Sequence, residues 1–211
     1  KPTLVTESSA AAFAGGEFRK DKKLEQAHFA LAFESPSYRS LDIYTAQVYS
    51  IALGGGMSSR LFQQIREKRG LCYSIFAQAG AFSDTGLTTI YAGTSAEQIP
   101  DLANLTVNEV KRAAIGLAEG EVTRARSQMK AGLLMGLESP SSRAERLARM
   151  IQIWGKVPSL DETIEKIDSV NLEKVRTYAE HVMTQAKFAM ALYGPISSAP
   201  SLQELDALRA A

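Results

Sequence analysis

The stretch "LGGGMSSRLFQQIREKRGLCYSI", residues 53–75, joins the end of one predicted helix to a second helix and then to a strand. The glycines at 54–56 follow an apolar run, and they predict a helix end with a hinge or tight corner. A short amphipathic helix is predicted over residues 58–69, with Gly70 in the position that ends it. The apolar face of this helix contains Leu61, Phe62 and Ile65. Beyond it the composition changes abruptly to residues that favour strands.

Alternating residues on both sides of this stretch predict further strands. Over residues 26–33, large apolar side chains occupy every second position, which is the period of a half-buried strand. Downstream, "YSIFAQAG" and "LTTIYAGT" are two β-rich runs joined by "AFSDTG", a pattern typical of a hairpin. The run "AKFAMALYGP" near the C-terminus alternates again and predicts a last strand.

The remaining patterns are helical. "LDIYTAQVYSIALGGG" predicts a helix with one mostly apolar side, and "EGEVTRARSQMKAGLLMGLES" predicts another amphipathic helix. Asn171 is expected to cap a helix that runs to about Met183. Serines followed three positions later by Glu or Gln predict capping boxes at helix starts. These pairs are Ser95 with Gln98, Ser142 with Glu145, and Ser159 with Glu162. The order of elements favours an α+β fold, with a mainly antiparallel sheet covered by helices on one face.

The totals limit the classes of protein to which this chain can belong. Its 211 residues are 45% hydrophobic, which is enough for one substantial core. The net charge of +1 gives no field that would recruit nucleic acid or anionic lipid, so we expect neither partner. No run predicts a membrane span or a secretory signal. The single cysteine excludes an internal disulfide framework, so we expect the cytoplasm of a bacterium or an organelle matrix.

The histidines and the cysteine do not predict a metal site. Zinc needs three or four converging ligands, and no second ligand lies near His28 in the sequence, so we interpret His28 as an ordinary sheet residue. His181 falls near the C-terminal end of a predicted helix, where the dipole favours a cation. Cys72 has basic neighbours that could lower the pKa of its thiol, yet it also fits a small, partly buried strand residue.

Arg66 and Tyr73 are the strongest candidates for a functional pair. Arg66 follows Phe62 by four residues, so its stem can lie along the apolar side while the guanidinium reaches past the helix. Tyr73 begins the next predicted strand, and the two side chains can therefore converge at one corner of the sheet. The residues alone leave another interpretation open, in which Arg66 belongs to a solvated charge run and Tyr73 is a residue of the sheet rim.

Residues 53–94 resemble the C-terminal half of the pitrilysin-type zinc peptidases, in the branch of bacterial processing proteases similar to mitochondrial processing peptidase. The segments "EQAHFALAFE" before them and "SQMKAGLLMGLES" after them agree with the same family in order and spacing. The resemblance covers residues 12–195, and it implies that these form the substrate-binding domain. Residues 1–11 are then a linker from a preceding half, and residues 196–211 are a C-terminal tail that can hold a short final helix.

The resemblance also implies where the zinc lies. Family members have two homologous α+β halves that enclose a chamber, and the N-terminal half or a partner subunit carries the zinc motif H-x-x-E-H. This chain lacks that motif, so zinc is expected in the partner half and no metal or other cofactor is expected here. In active members the metal-free half contributes an Arg and, seven residues later, a Tyr that contact the substrate near the zinc. Those positions match Arg66 and Tyr73.

The resemblance thus implies the substrate-binding half of a zinc-dependent endopeptidase that cleaves short or unfolded peptides or presequences. The expected partners are a peptide substrate and either a zinc-bearing half or a homologous subunit, and a dimer is expected. An alternative stays open, because catalytically inactive relatives serve as structural or peptide-binding subunits of the same fold.

Overall fold

The computed structural model describes residues 11–210. The elements, in chain order, are β1 (Gly16–Asp21), β2 (Ala27–Ser35), α1 (Ile43–Gly54), a π-helical turn (Phe62–Glu67), β3 (Ser74–Ala81), β4 (Gly86–Thr94), α2 (Ile99–Gly116), α3 (Glu119–Gly136), α4 (Pro140–Trp154), α5 (Leu160–Asp168), α6 (Leu172–Thr184), β5 (Phe188–Gly194) and α7 (Leu202–Ala210). None of the helices within 11–210 combines the length and the apolar composition needed to cross a membrane.

The five strands form one sheet in the order β1-β5-β2-β4-β3. β2 pairs antiparallel with both of its neighbours, and β3 pairs antiparallel with β4. Only the pairing of β1 with β5 is parallel among the strands described. The predicted α+β fold with a mainly antiparallel sheet is therefore confirmed, as is the predicted hairpin of β3 and β4.

The alternation in β2 and β5 decides which face of the sheet is buried. Every second residue of these strands is almost completely inaccessible to solvent. The buried positions are Ala27, Phe29, Leu31, Phe33, Phe188, Met190 and Leu192. They belong to the main hydrophobic core, to which α1, α2 and α6 also contribute. The residues between them point to the opposite face, which leaves that face of the sheet open.

Two helices differ from their predicted burial. Helix α1 was expected to have one apolar side, but nine of its twelve residues are buried, because it contacts β3 on one side and α3 and α6 on the others. Helix α3 was expected to be amphipathic along its length. Only Val122 and Ala125 of α3 are buried, and Met135 near its C-terminal end is 64% exposed. The second half of α3 therefore projects away from the core.

The predicted helix starts were right in two places and wrong in two. Ser159 Oγ accepts from the Glu162 N–H at 3.0 Å, and the Glu162 carboxylate accepts from the Ser159 N–H at 2.9 Å, so this capping box is confirmed. Asn171 caps α6 as expected. The boxes predicted for Ser95 and Ser142 do not form. Helix α4 begins earlier, at a proline that follows the true cap, Ser139, and α2 begins at the residue after Gln98.

Local patterns did not indicate the strand at the start of the described chain, whereas the short final helix expected within residues 196–211 forms as α7. Strand β1 was missed because all six of its residues are exposed, so no alternation marks it. Its register is set by parallel pairing with β5, which lies far away in sequence. The segment interpreted as a C-terminal tail contains α7, and Leu205 of that helix is completely buried in the core. The final helix is therefore packed against the domain.

Candidate functional site

Arg66 lies on the π-helical turn that follows the glycine-rich corner. The Lys68 N–H donates to the Gln63 carbonyl at 3.1 Å, which is the five-residue spacing of a π-helix. Completely buried Leu61 and Ile65 anchor this turn in the core. The Arg66 guanidinium carbon lies 4.4 Å from the centre of the Phe62 ring, as the four-residue spacing predicted. Single π-helical turns occur frequently at functional sites.

The connection from this turn to β3 directs the chain toward Tyr73. Gly70 adopts a φ of +63°, a left-handed conformation that glycine reaches without a steric penalty. The N–H groups of Gly70 and Leu71 donate back to the last carbonyls of the turn, which ends the helix as predicted. The Thr94 hydroxyl then donates to the Leu71 carbonyl and fixes the loop to the end of β4.

Arg66 and Tyr73 come together at this corner of the sheet. The guanidinium carbon of Arg66 lies 5.8 Å from the centre of the Tyr73 ring, within the range of a cation–π contact. Tyr73 is 83% exposed, and its hydroxyl makes no hydrogen bond to any residue within 11–210. Within residues 11–210, the guanidinium has one polar side-chain contact, a long 3.8 Å ion pair with Glu67. Most of the hydrogen-bond donors of this pair are therefore free to bind another molecule.

Two of the three glycines before this turn, Gly54 and Gly55, are required by close approach to neighbouring backbone. A Cβ on Gly54 would lie 2.5 Å from the Ala77 backbone nitrogen, and a Cβ on Gly55 would lie 2.5 Å from the Ile51 Cα. Neither glycine needs a positive φ. Glycine at position 54 lets the end of α1 touch β3 directly, and glycine at position 55 lets the chain turn closely against α1 itself. The predicted helix end and tight corner therefore form, through close approach and without a positive φ.

Two polar contacts that sequence reasoning missed hold the glycine-rich corner against α3. The Arg60 guanidinium forms two 2.7 Å hydrogen bonds to the Glu121 carboxylate. The side-chain amide of Gln128 donates to the Gly55 carbonyl at 2.6 Å. Burial opposes ionisation of Glu121, but the bonds from Arg60 and from the Ala118 N–H outweigh it and hold its pKa below the usual value. No local signal marks these contacts, because their partners are more than 60 residues apart in the chain.

A groove of about 550 Å³ lies between the glycine-rich corner and β3; Arg66 and Tyr73 do not line it, but Phe62, on which Arg66 packs, does. Its lining includes the glycines at 54–56, Met57, Phe62 and residues 75–79 of β3. Strand β3 is an edge strand, and its backbone has no hydrogen-bond partner beyond β4 within the described part of the chain. An unpaired strand edge can accept an extended peptide as a further strand.

The open face of the sheet carries an aromatic cluster that was not anticipated. His28 Nδ1 lies 2.8 Å from the Tyr91 hydroxyl, and the His28 ring packs against Tyr91 and Tyr193. Phe76 packs against Tyr91 with ring centres 5.4 Å apart. His28 and Ser74 lie in one cross-strand row, because both are in register with Gly93. Two strand spacings separate them, about 10 Å, so the cluster borders the strand end that carries Tyr73.

The histidines do not form a metal centre in the residues that the structure describes. No group of three or more His, Cys, Asp or Glu side chains within 11–210 is arranged to hold a metal ion. His28 packs among tyrosines, as an ordinary sheet residue does. His181 lines a separate cleft of about 1120 Å³ between α6, the end of β2 and the turn that joins β3 to β4. Neither Arg66 nor Tyr73 lines that cleft.

Cys72 does not have the properties of an activated nucleophile. Its side chain is buried, and burial raises the pKa of the thiol to about 11, although the nearby Arg66 charge partly opposes this shift. The thiol is therefore protonated at neutral pH, and a protonated thiol is a poor nucleophile. Cys72 fits the interpretation as a small packing residue beside the candidate pair.

Comparison with known proteins gives agreeing findings. Residues 1–129 match the family described as the Peptidase M16 inactive domain. The chain is 37% identical, over 86% of its own length and 44% of the relative, to an uncharacterized zinc protease, YmxG, of Bacillus subtilis. It is 36% identical, over 87% of its length and 42% of the relative, to an uncharacterized zinc protease of Mycobacterium tuberculosis. The chain thus spans less than half the length of these curated relatives.

The fold is also similar to that of a solved structure. A chain of complex III2 from Candida albicans, with Inz-5 bound, superposes with a TM-score of 0.85 over 94% of this chain and 50% of that chain. The two sequences are 22% identical, so this likeness shows the shared fold and nothing further.

Proposed function

This chain belongs to the Peptidase M16 inactive-domain family, and we propose that it is the substrate-binding half of a zinc-dependent endopeptidase. The substrates in this proposal are short or unfolded peptides, including presequences. Arg66 and Tyr73 form a clamp that holds the peptide beside a zinc site in another domain or subunit. The work of this half is to bind and orient the substrate and to stabilise the charge that develops on it.

The observation that carries the proposal is the free donor set of Arg66 and Tyr73. A guanidinium and a phenol both donate hydrogen bonds at neutral pH without losing a proton first. Their side chains are adjacent, and the guanidinium also packs against the face of the Phe62 ring. Two preorganised donors of this kind can hold a peptide carbonyl and stabilise an oxyanion that forms from it. The cation–π contact keeps the two donors together before substrate arrives.

The surroundings of the clamp suit a peptide. The groove along β3 offers unpaired backbone groups to an extended main chain, and it begins beside Phe62. The open sheet face offers the aromatic rings of Tyr91, Tyr193 and Phe76 to apolar side chains. A substrate that lacks a stable fold can reach both surfaces at once. This supports short or unfolded peptides over folded proteins as substrates.

The zinc in this proposal belongs to a partner half. The two curated relatives described above are called zinc proteases, and each is more than twice as long as the part that matches this chain. The residues described here do not fit a zinc site, since no suitable ligand cluster exists among them. We therefore assign the zinc, and the pairing that completes the site, to the N-terminal half or to a homologous subunit, in the cytoplasm of a bacterium or in an organelle matrix.

The rival assignment is a structural or peptide-binding subunit without a catalytic role. The test compares the 211-residue chain with the complete protein that contains its partner half, by metal analysis after long dialysis and by cleavage of an unfolded peptide. We expect about one zinc per complete protein and cleavage that a chelator abolishes, but almost no zinc and no cleavage for the chain alone. A complete protein that lacks both H-x-x-E-H and cleavage would support the rival. About one zinc held by the chain alone would contradict the location of the metal.

A further inference from the structure

Helix α4 carries an apolar face that the described part of the chain covers only in part. Of its 15 residues only Met150 is buried. Leu147, Ile151 and Trp154 follow each other at spacings of four and three residues, so they lie on one side of the helix. They are 39%, 56% and 37% exposed, respectively. We call these three residues the α4 stripe.

The C-terminal end of α4 is anchored to the domain although much of its stripe is exposed. The Arg39 guanidinium donates twice to the Ile153 carbonyl, at 3.2 and 3.0 Å. The Tyr38 ring meets the Trp154 ring edge-on at 6.4 Å. Both contacts come from the loop between β2 and α1, and they hold the helix from one side only. The α4 stripe is therefore a partly exposed apolar surface on a helix whose C-terminal end is anchored to the domain, which suits it for docking.

The composition of α4 fits an apolar contact with a charged border. Trp154 is the single tryptophan of the chain, and tryptophan and arginine are enriched at the energetic centres of interfaces. Arg143, Arg146 and Arg149 against Glu145 give the helix a net charge of three minus one, or +2. The complementary surface is an apolar groove with carboxylates at its rim.

The first described residues of the chain lie near the loop between β2 and α1 that contacts α4. The Ala11 N–H donates to the Asp84 carboxylate at 2.8 Å, and Phe13 lines a cleft together with Ser37 and Ser40. These two serines flank Tyr38, in the loop that holds α4. A half joined to this chain upstream of Ala11 would meet the fold beside that loop, within reach of the stripe.

We propose that the α4 stripe docks onto the zinc-bearing half of the complete protein, in an apolar groove with an acidic rim. The inference rests on the proposed function, because that function assigns such a half. The curated relatives described above are long enough to contain such a half, since this chain spans only 42–44% of their length. Docking would place the partner half on the side of the domain from which the chain enters.

The test measures the solvent exposure of Trp154 by hydroxyl-radical oxidation and mass spectrometry. The tryptic peptide that spans residues 150–156 contains Trp154 and Ile151 and reports on the stripe directly. We expect Trp154 to be oxidised at least about fivefold more slowly in the complete protein than in the 211-residue chain, because interface centres pack like protein interiors. Exposed Ile115, at the end of α2, serves as the reference and should react at a similar rate in both.

A pair of matched variants separates docking from a local change in α4. Ile151→Glu puts a charge in the stripe, whereas Gln152→Glu puts the same charge one position away, on another side of the exposed helix. In the complete protein, Ile151→Glu should restore most of the Trp154 oxidation rate and Gln152→Glu should change it less than about twofold. In the chain alone both variants should melt near the parent temperature, because both positions are exposed.

Equal Trp154 oxidation in the complete protein and in the chain would overturn the proposal, whether or not the protein cleaves peptides. Protection of Trp154 in the chain alone that increases with concentration, together with a dimer in sedimentation, would also overturn it, because the occupant would then be a second copy. A protein that protects Trp154 but does not cleave peptides would keep this inference and contradict the proposed function.

Discussion

Arg60 and Glu121 form an ion pair with two hydrogen bonds of 2.7 Å each, which joins the segment just before the π-helical turn to the start of α3. Both side chains are largely buried, and the same carboxylate accepts from the Ala118 N–H at the beginning of α3. Arg60 lies two residues before the π-helical turn that contains Arg66. The pair therefore positions the candidate clamp without touching it, through the helix that follows.

Arg60→Ala should lower the free energy of unfolding by about 1.5–3 kcal/mol, because it leaves a partly buried carboxylate without its charged donor. Denaturation by urea measures this change. The control is Arg149→Ala, which breaks a pair with Glu145 whose side chains are 54% and 71% exposed, and it should cost less than about 1 kcal/mol. Equal losses for the two variants would show that the Arg60 pair has no special role.

The same carboxylate predicts a dependence of stability on pH. Burial raises the pKa of Glu121, but the hydrogen bonds from Arg60 and the Ala118 N–H, together with the charges of Arg60 and Arg124, lower it by more, so it lies below its usual value of 4.5 in the folded protein. Its contribution to stability is therefore present above about pH 4.5 and is lost as the pH falls through the folded pKa. Glu121→Gln should be less stable than the parent at pH 7, and the difference should shrink toward pH 3. Melting curves across this range would contradict the assignment if the difference stayed constant.

Gly54→Ala should destabilise the fold strongly, because the new methyl group would lie 2.5 Å from a backbone nitrogen that cannot move freely. We expect a loss of more than about 2 kcal/mol, as for other overpacked core sites. Gly132→Ala is the matched control, since its Cβ would meet nothing within 4 Å in the middle of α3. That control should be neutral or stabilising by about 0.5–1 kcal/mol. Thermal unfolding of both variants distinguishes close approach from a general sensitivity to added volume.

Local patterns predicted most of the sheet because the buried residues of its strands recur at every second position, which is the period of a strand. The alternation in β2 and β5, the hairpin of β3 and β4, and the cap at Asn171 all depend on residues close together in sequence. Strand β1 carries no such signal, since its six residues are all exposed and its partner strand comes near the end of the chain. The start of α4 was predictable from Pro140 after Ser139, a common first position of a helix, but the Ser142 pattern was preferred.

The candidate site was predictable only in part, because some of its contacts join residues close together in sequence and others join distant segments. The nearness of Arg66 and Tyr73 follows from a helix end at Gly70, which the sequence indicates. The Arg60–Glu121 pair, the contact of Gly54 with Ala77 and the aromatic cluster around His28 join segments that the fold alone brings together. No period or motif within one segment encodes such contacts.

The central claim is that Arg66 and Tyr73 donate hydrogen bonds to the substrate, and the most direct test is kcat/KM of variants of the complete protein with an unfolded peptide. Tyr73→Phe should lower kcat/KM by roughly 10- to 1,000-fold, since one lost preorganised donor costs on the order of 1.5–4 kcal/mol. Arg66→Ala should lower kcat/KM by at least as much, because a charged hydrogen-bond donor is lost. Melting temperature should barely change for Tyr73→Phe, because the ring is 83% exposed.

Lys68→Ala is the control, as an exposed residue of the same turn. Gln63 is less suitable, because its side-chain amide donates to the Met57 carbonyl at 2.7 Å. We expect Lys68→Ala to keep the parent kcat/KM, whereas both clamp variants lose most of it while their fold stays intact. An active protein in which Tyr73→Phe and Arg66→Ala cleave the peptide as fast as Lys68→Ala would contradict the clamp.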